Sequence, residues 1–165
     1  MKRRNFLGLL GLGGLAGLAP GLASARPKPE LQRASGVEPL ELSEAEWRER
    51  LSEERFQILR KADTERAFSS PLDKQTGEGE YRCAGCDLPL FTSDMKYDSG
   101  TGWPSFFTHI EGHLLSELDL VMLIPRTEYH CARCGGHQGH VFDDGPQPTG
   151  LRWCNNGLAL RFVPA

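Results

Sequence analysis

The chain has 165 residues, with 19 basic and 22 acidic side chains and a formal net charge of −3. This slight acidic excess excludes a general attraction to phosphate backbones, so no nucleic acid partner is expected. Five cysteines in so short a chain call for an explanation, because clustered thiols bind metal, form disulfides or carry out redox chemistry.

The first 25 residues have the composition of an export signal. A basic start at Lys2, Arg3 and Arg4 precedes an apolar, glycine-rich run that ends in the small residues Ala-Ser-Ala at 23–25. Because Arg-Arg-Asn-Phe-Leu resembles a twin-arginine signal, we expect export to the bacterial periplasm. An ordinary secretory signal and an uncleaved anchor are the alternatives. Removing this leader removes three basic residues and no acidic ones, which leaves a net charge of −6.

Residues 26–42 are polar and contain several prolines, a composition that indicates a flexible linker. The remaining residues, 43–165, are enough for one domain. Ser43 and Glu46 have the spacing of a capping box and predict a helix at 44–51. Ser52, followed by two glutamates, predicts a second short helix directly after the first.

The character of the sequence changes from Tyr81 onward. Short runs of aromatic and β-branched residues alternate there with Gly, Pro, Asp and Ser, and no helical periodicity follows Lys61. This pattern predicts strands at 88–91, 113–118, 120–125, 128–131, 139–142 and 158–163. We therefore predict a mainly antiparallel β domain with a small helical N-terminal part.

Four of the five cysteines form two Cys-x-x-Cys pairs. They are Cys83 with Cys86, and Cys131 with Cys134. Such pairs are typical of zinc sites, and four thiolates complete a tetrahedral shell without an open position. The pattern therefore favours one structural Zn²⁺. Two short-loop disulfides, or one redox-active pair, are the alternatives.

Cys154 is left without such a role and is a candidate reactive thiol. A cation at Arg152 could lower the pKa of this thiol. The residues that follow, Asn155, Asn156 and Gly157, are polar or flexible and form a poor interior for a strand. These features favour an accessible thiolate over the alternative of an inert cysteine in the core.

Two further stretches carry candidate pocket residues. His137 and His140 lie in a glycine-rich turn, where hydrogen bonding to a substrate oxygen or to the thiolate is favoured over metal binding. Trp103 lies in a Gly- and Pro-flanked loop next to Phe106 and Phe107. The ring of Trp103 could belong to the core or form an apolar wall that suits a methyl or thioether group.

Four ordered motifs resemble those of the peptide-methionine (R)-S-oxide reductases. They are Tyr-Arg-Cys-Ala-Gly-Cys at 81–86, the runs 98–106 and 137–146, and Arg-Trp-Cys-Asn-Asn at 152–156. The resemblance spans about residues 43–163. It implies two twisted antiparallel sheets in a tent-like arrangement, small N-terminal helices, and zinc held by the two cysteine pairs.

The resemblance also implies roles for individual residues. The nucleophile falls on Cys154, whose thiolate would attack the sulfoxide sulfur and be left as a sulfenic acid. The substrate-binding residues would be Trp103, His137, His140 and Asn156, with Arg152 beside the nucleophile. Oxidised proteins are the expected substrates, and a monomer without stable membrane association is expected after export.

Four positions depart from the family pattern, one of them Trp153, which stands where Tyr or Phe is usual. Thr101 stands where many relatives have a resolving cysteine, so a thioredoxin-like or other external thiol is expected to reduce the Cys154 sulfenic acid directly. Recruitment of a zinc-site cysteine is the alternative. Asn155 and Gly157 replace an aliphatic residue and a serine, which bears on substrate preference. A one-cysteine peroxidase and a zinc-stabilised binding module are the rival functions.

Overall fold

The computed structural model describes residues 30–120 and 125–165. The predicted export signal at 1–25 lies outside these residues. Among the helices of the described part, none has the length and apolar character needed to cross a membrane.

Two short helices open the domain, α1 at Glu44–Arg50 and α2 at Glu53–Lys61. The predicted capping box is present: Ser43 Oγ accepts from the Glu46 backbone, and the Glu46 carboxylate accepts from the Ser43 backbone at 2.7 Å. The first helix ends at Arg50, one residue before the predicted end. These helices bury Trp47, Phe56, Ile58 and Leu59 against the β structure.

Two antiparallel sheets form the body of the domain, as the sequence predicts. The three-stranded sheet has the order β2-β1-β9 and contains β1 at Gly79–Cys83, β2 at Pro89–Thr92 and β9 at Leu160–Pro164. The six-stranded sheet has the order β3-β4-β8-β7-β6-β5. Its strands are β3 at Lys96–Tyr97, β4 at Ser105–Phe106, β5 at Leu114–Asp119, β6 at Arg126–Cys131, β7 at His137–Phe142 and β8 at Arg152–Asn155.

The strand predictions differ from the structure in several places. The predicted strand at 158–163 begins as a 3₁₀ turn, Gly157–Ala159, before β9. The predicted strand at 120–125 falls mostly outside the described residues, and neither Leu120 nor Pro125 is in a strand. Strand β8 contradicts the expectation of a poor strand interior around Cys154, because hydrogen bonds within the protein satisfy the buried side chain of Asn155.

Aromatic rings join the two sheets. The ring of Phe91 on β2 stacks on that of Phe106 on β4 with their centroids 3.9 Å apart. Tyr81 on β1 meets the edge of Phe106 at 5.0 Å. All three side chains are fully buried, so each contributes on the order of 2–3 kcal/mol of apolar burial. Phe106 is thus a core residue that fixes β4, the strand beside β8.

Part of the predicted linker packs on the domain. Within residues 30–42, the Leu40 backbone donates to the Arg133 carbonyl at 2.7 Å, and the Ala34 backbone donates to the Gly112 carbonyl at 3.0 Å. Val37 is buried. These contacts correct the expectation of a flexible chain for this part, because its few apolar residues find places on the core.

A glycine at position 139 is required by the pairing of β7 with β8. A Cβ atom there would lie 1.9 Å from the Cys154 carbonyl oxygen. We expect Gly139→Ala to cost about 3 kcal/mol of stability, because the two backbones would have to separate. Gly77→Ala is the control, since its added Cβ would lie 3.2 Å from the flexible Gln75 side chain and no closer than 3.6 Å to the Phe162 ring. Thermal denaturation measures both, and equal melting temperatures for the two variants would contradict this account.

Candidate active site

The two cysteine pairs meet in one buried cluster. Their four sulfur atoms lie within 4.8 Å of one another. The Sγ atoms of Cys83 and Cys134 are 3.6 Å apart, and those of Cys86 and Cys131 are 3.5 Å apart. All four are free thiols, and both of these short sulfur–sulfur separations join one pair to the other. The alternative of a disulfide within each pair is therefore not found in the structure.

This geometry fits a tetrahedral zinc ion. With Zn–S bonds of about 2.3 Å, sulfurs at the corners of a tetrahedron lie about 3.8 Å apart, close to the separations found here. Each pair sits in the same kind of turn, because the Cys83 and Cys131 carbonyls each accept a backbone hydrogen bond four residues later at 2.9 Å. Hydrogen bonds that the Cys83 thiol donates to the neighbouring sulfurs, the one to Cys131 foremost, raise the pKa of Cys83 well above its ordinary value. Ionisation of all four thiols therefore requires a cation among them.

Cys154 lies on β8, between β4 and β7. Its neighbours across the sheet are Ser105 on β4 and His140 on β7, and all three side chains share one face. The adjacent residues Trp153 and Asn155 point to the opposite, buried face. Strand alternation thus brings the thiol out of the core into a small pocket, where it is partly exposed.

The pocket has a volume of about 150 Å³. An aromatic ring, a histidine, the thiol and several polar groups form its wall, which consists of Thr64, Trp103, Arg126, Gly139, His140, Phe142, Cys154, Asn155 and Asn156. Of the residues expected from the sequence, it therefore brings together Trp103, His140, Cys154 and Asn156. His137 and Arg152 lie behind this wall.

Arg152 lies close to Cys154 but is itself paired with an acid. Its guanidinium donates to both carboxylate oxygens of Asp144, at 2.8 and 2.9 Å. Burial raises the pKa of Cys154 above its ordinary value, while the charge of Arg152 and hydrogen bonds from Thr101 and Arg152 lower it. Arg152 therefore lowers the pKa of Cys154 as the sequence suggested, but burial outweighs this effect and the pKa is raised overall.

Each pocket histidine is held by a carboxylate. His137 Nδ1 lies 2.6 Å from Glu128 Oε1, and His140 Nε2 lies 2.9 Å from Asp119 Oδ2. The two rings are 5.6 Å apart. The buried Nε2 of His137 has no hydrogen-bond partner among the described residues. Burial lowers the pKa of His140, so its ring is mainly neutral at neutral pH.

Trp103 and Asn156 are fixed by the backbone around them. The indole Nε1 donates to the Glu65 carbonyl at 3.2 Å, which leaves the ring free to form an apolar wall. The Asn156 side chain accepts from the Glu65 backbone at 3.1 Å and donates to the Gln138 carbonyl at 3.1 Å. Both polar ends of Asn156 therefore hold protein segments together at the pocket.

Sequence reasoning missed several carboxylates that organise the site. Glu65 is buried, and its carboxylate accepts from the backbones of Gly157 and Leu158, the latter at 2.9 Å. Burial raises the pKa of Glu65. Asp119 and Glu128, which hold the histidines, are distant in sequence from them. Strand register alone would not have revealed these pairings, since Glu128 lies opposite His140 in the sheet but its carboxylate holds His137.

Comparisons with known proteins agree with this arrangement. The SelR domain matches residues 51–164, which is more than half of the chain. This chain belongs to the SelR domain family. A peptide methionine sulfoxide reductase MsrB of Agrobacterium fabrum is 52% identical over 123 residues, 74% of this chain and 91% of the relative.

Two further relatives of this SelR domain protein carry related names. The peptide methionine sulfoxide reductase B1, chloroplastic, of Arabidopsis thaliana is 48% identical over 144 residues, covering 86% of this chain and 71% of the relative. Another MsrB, from Azotobacter vinelandii, is 51% identical over 129 residues, covering 78% and 97%. The SelR match, at 51–164, spans the cysteine cluster and the Cys154 pocket together.

Loss of one cluster cysteine is expected to release the metal. In Cys83→Ser, a hydroxyl replaces a thiolate ligand, so zinc content should fall below half an equivalent and the melting temperature should drop. Cys154→Ser is the matched control and should keep one equivalent, because Cys154 is not part of the cluster. Elemental analysis of the two purified proteins checks this. Full zinc in Cys83→Ser would contradict a four-cysteine site.

The pH dependence of Cys154 alkylation should reflect its raised pKa. The thiolate fraction grows as pH rises towards the pKa, so iodoacetamide labelling should still accelerate above about pH 8.5, the ordinary cysteine value. Arg152→Gln removes the cation that favours the thiolate and should move the profile to higher pH. Arg161→Gln, at an exposed ion pair far from the thiol, is the control. Peptide mass spectrometry measures the rates, and a plateau below about pH 7 would contradict the account.

Proposed function

We propose that this protein reduces methionine-R-sulfoxide, mainly in oxidised proteins, with Cys154 as nucleophile. The observation that carries the proposal is a partly exposed thiol on a buried strand, facing a pocket that also contains Trp103 and His140 in a SelR domain. Relatives with the reductase name are about 50% identical to this chain over 74–86% of its length.

The chemistry transfers one oxygen atom and two electrons. The Cys154 thiolate attacks the sulfoxide sulfur, and the sulfoxide oxygen takes up protons. This attack forms a bond between the two sulfur atoms. That bond and the S–O bond of the substrate break as the protonated oxygen moves to the Cys154 sulfur, so Cys154 is left as a sulfenic acid and methionine leaves as the thioether. The substrate sulfur is reduced by two electrons, and the cysteine sulfur is oxidised by two.

The histidines supply the protons in this scheme. His137 is held by Glu128 through Nδ1, and its Nε2 is left without a partner among the described residues. His140 lines the pocket, and its ring lies 5.6 Å from that of His137. We therefore assign His137 and His140 a shared role in donating or relaying protons to the oxygen.

The apolar wall selects the substrate epimer. The ring of Trp103 is oriented by its hydrogen bond to Glu65 and faces the cavity that contains Cys154. Sulfur and methyl groups pack favourably on aromatic rings. If the S-methyl group lies on Trp103 while the oxygen points to the histidine side, only one configuration at sulfur presents its sulfur to the thiolate. Asn156 maintains this wall by linking the backbones of Glu65 and Gln138.

Regeneration of the enzyme requires an external thiol. Thr101, at the expected resolving position, offers a hydroxyl that hydrogen-bonds Cys154 and lies 2.8 Å from the Ser99 hydroxyl. The four remaining cysteines are buried in the metal cluster. A thioredoxin-like partner, or another small thiol, therefore reduces the Cys154 sulfenic acid directly. The zinc ion has a structural role and does not take part in the reaction.

The place of action is the bacterial periplasm. The proposal rests on the twin-arginine-type sequence at 1–25, which precedes the domain. After cleavage the protein acts as a monomer without membrane attachment. Fractionation of cells that make the full chain tests this, and protein found only in the cytoplasm would refute it.

Turnover of separated sulfoxide epimers tests the function. With a peptide containing either epimer and dithiothreitol as reductant, we expect turnover of the R form only. Cys154→Ser should lose at least about 10⁴-fold in rate, because the nucleophile is gone. Equal zinc content in both proteins shows that folding is unaffected. No turnover of either epimer would favour a binding module, and peroxide consumption alone would favour a one-cysteine peroxidase.

Substitution of Thr101 tests whether its hydroxyl favours the Cys154 thiolate. Thr101→Val keeps the shape but removes the hydroxyl that favours the thiolate, so Cys154 alkylation at neutral pH should slow by about 3- to 10-fold, the equivalent of one modest hydrogen bond. Thr101→Ser keeps the hydroxyl and is the matched control. An unchanged alkylation rate in Thr101→Val would show that the hydroxyl does not act on Cys154.

A further inference from the structure

A continuous series of buried polar side chains connects the cysteine cluster to β8. The amide nitrogen of Gln138 donates to Cys83 Sγ at 3.5 Å, and its amide oxygen accepts from Asn155 Nδ2 at 3.3 Å. Asn155 Oδ1 in turn accepts from the Tyr129 hydroxyl at 2.8 Å. Gln138, Asn155 and Tyr129 have no exposed surface, so these contacts are made without competition from water.

The pattern of donors and acceptors fixes the orientation of each group. A metal-bound thiolate is an acceptor only, so the Gln138 nitrogen must face Cys83 and its oxygen must face Asn155. Asn155 then presents its nitrogen to Gln138 and its oxygen to the Tyr129 hydroxyl. Buried amides keep such positions only when their hydrogen bonds are made, because unpaired ones are costly.

Gln138 also holds the chain after the nucleophile through its backbone. Its carbonyl accepts from the Asn156 backbone at 2.8 Å and from the Asn156 side chain at 3.1 Å. The next residue, Gly139, makes the close approach to the Cys154 carbonyl. Gln138 therefore contacts the sulfur of a metal-site cysteine through its amide nitrogen. Through its amide oxygen and its backbone carbonyl it also contacts the two residues that follow Cys154.

We propose that Gln138 is a positioning residue that couples the four-cysteine metal site to the strand carrying Cys154. When zinc is bound, the hydrogen bond to Cys83 holds the Gln138 amide, which holds Asn155 and so the end of β8. Hydrogen bonds to metal ligands commonly change metal affinity by 10- to 100-fold. The coupling is reciprocal, so contacts at β8 also help to retain the metal.

The resemblance to the reductase family does not imply this link. Asn155 is one of the positions at which the chain departs from the family pattern, and it is the central member of the series. The inference requires zinc in the cysteine cluster. It does not require the proposed reductase activity, and its tests do not measure that activity.

The first test is the rate of zinc release from the folded, zinc-loaded protein to an excess of a chromogenic chelator. Gln138→Met removes the amide but keeps a similar shape, and it should release zinc about tenfold faster or more. Asn155→Ile leaves the Gln138–Cys83 hydrogen bond in place and removes the Asn155 hydrogen bonds to Gln138, Tyr129 and Asn156, so it should accelerate release by a smaller factor. The double variant should match Gln138→Met, because both changes break the same series.

Two controls separate coupling from loss of stability. Leu51→Ala removes buried apolar surface at the end of α1, and Leu51 makes none of the hydrogen bonds of the series. This variant should release zinc at the wild-type rate under conditions where the protein stays folded. Gln138→Leu is the second variant if Gln138→Met does not fold. A wild-type release rate in Gln138→Met, or in Asn155→Ile, would overturn the proposal.

The reciprocal test is amide hydrogen exchange at 152–157. Removal of zinc from the wild-type protein should raise exchange at these amides more than at α1. Without the metal, Cys83 no longer holds the Gln138 amide, so Gln138 no longer holds the end of β8. In Gln138→Met, exchange there should already be high with zinc bound, and removal of zinc should add little. Equal effects of zinc removal at 152–157 in the two proteins would also overturn the proposal.

Discussion

The close pairing of β7 with β8 is the contact on which the rest of the site depends. It requires Gly139, because any side chain there would collide with the Cys154 carbonyl. The pairing sets His140 opposite Cys154 on one face and brings Gln138 to Asn155 and Asn156. Because β7 also continues the hairpin that carries half of the cysteine cluster, the metal site and the reactive thiol belong to one structural unit.

The position of Cys154 balances access against ionisation. A pocket small enough to hold a thioether must remove most water from the sulfur, and this burial raises the pKa of the thiol. Arg152 opposes that effect, but Asp144 neutralises part of its charge. Short-range hydrogen bonds from Thr101 and Arg152 also favour the Cys154 thiolate. Such a thiol is only partly ionised at neutral pH, which limits unwanted oxidation between encounters with substrate.

Local sequence signals predicted much of the fold, and long-range pairings explain what they missed. The capping box at Ser43 and the two cysteine pairs are local patterns, and both were found. Strand β8 was not, because the burial of Asn155 depends on partners 17 and 26 residues away. The carboxylates that hold the histidines were missed for the same reason, because these contacts join residues on different strands. Residue spacing identified Cys154 as special, but its raised pKa depends on burial, which sequence does not specify.

The most direct measurement is a single turnover without reductant, followed by mass spectrometry of the intact protein and its peptides. The account predicts one methionine formed per protein, one added oxygen atom located on Cys154, and zinc fully retained. An internal disulfide that involves a cluster cysteine, accompanied by zinc release, would contradict it. So would methionine formation that leaves Cys154 unmodified.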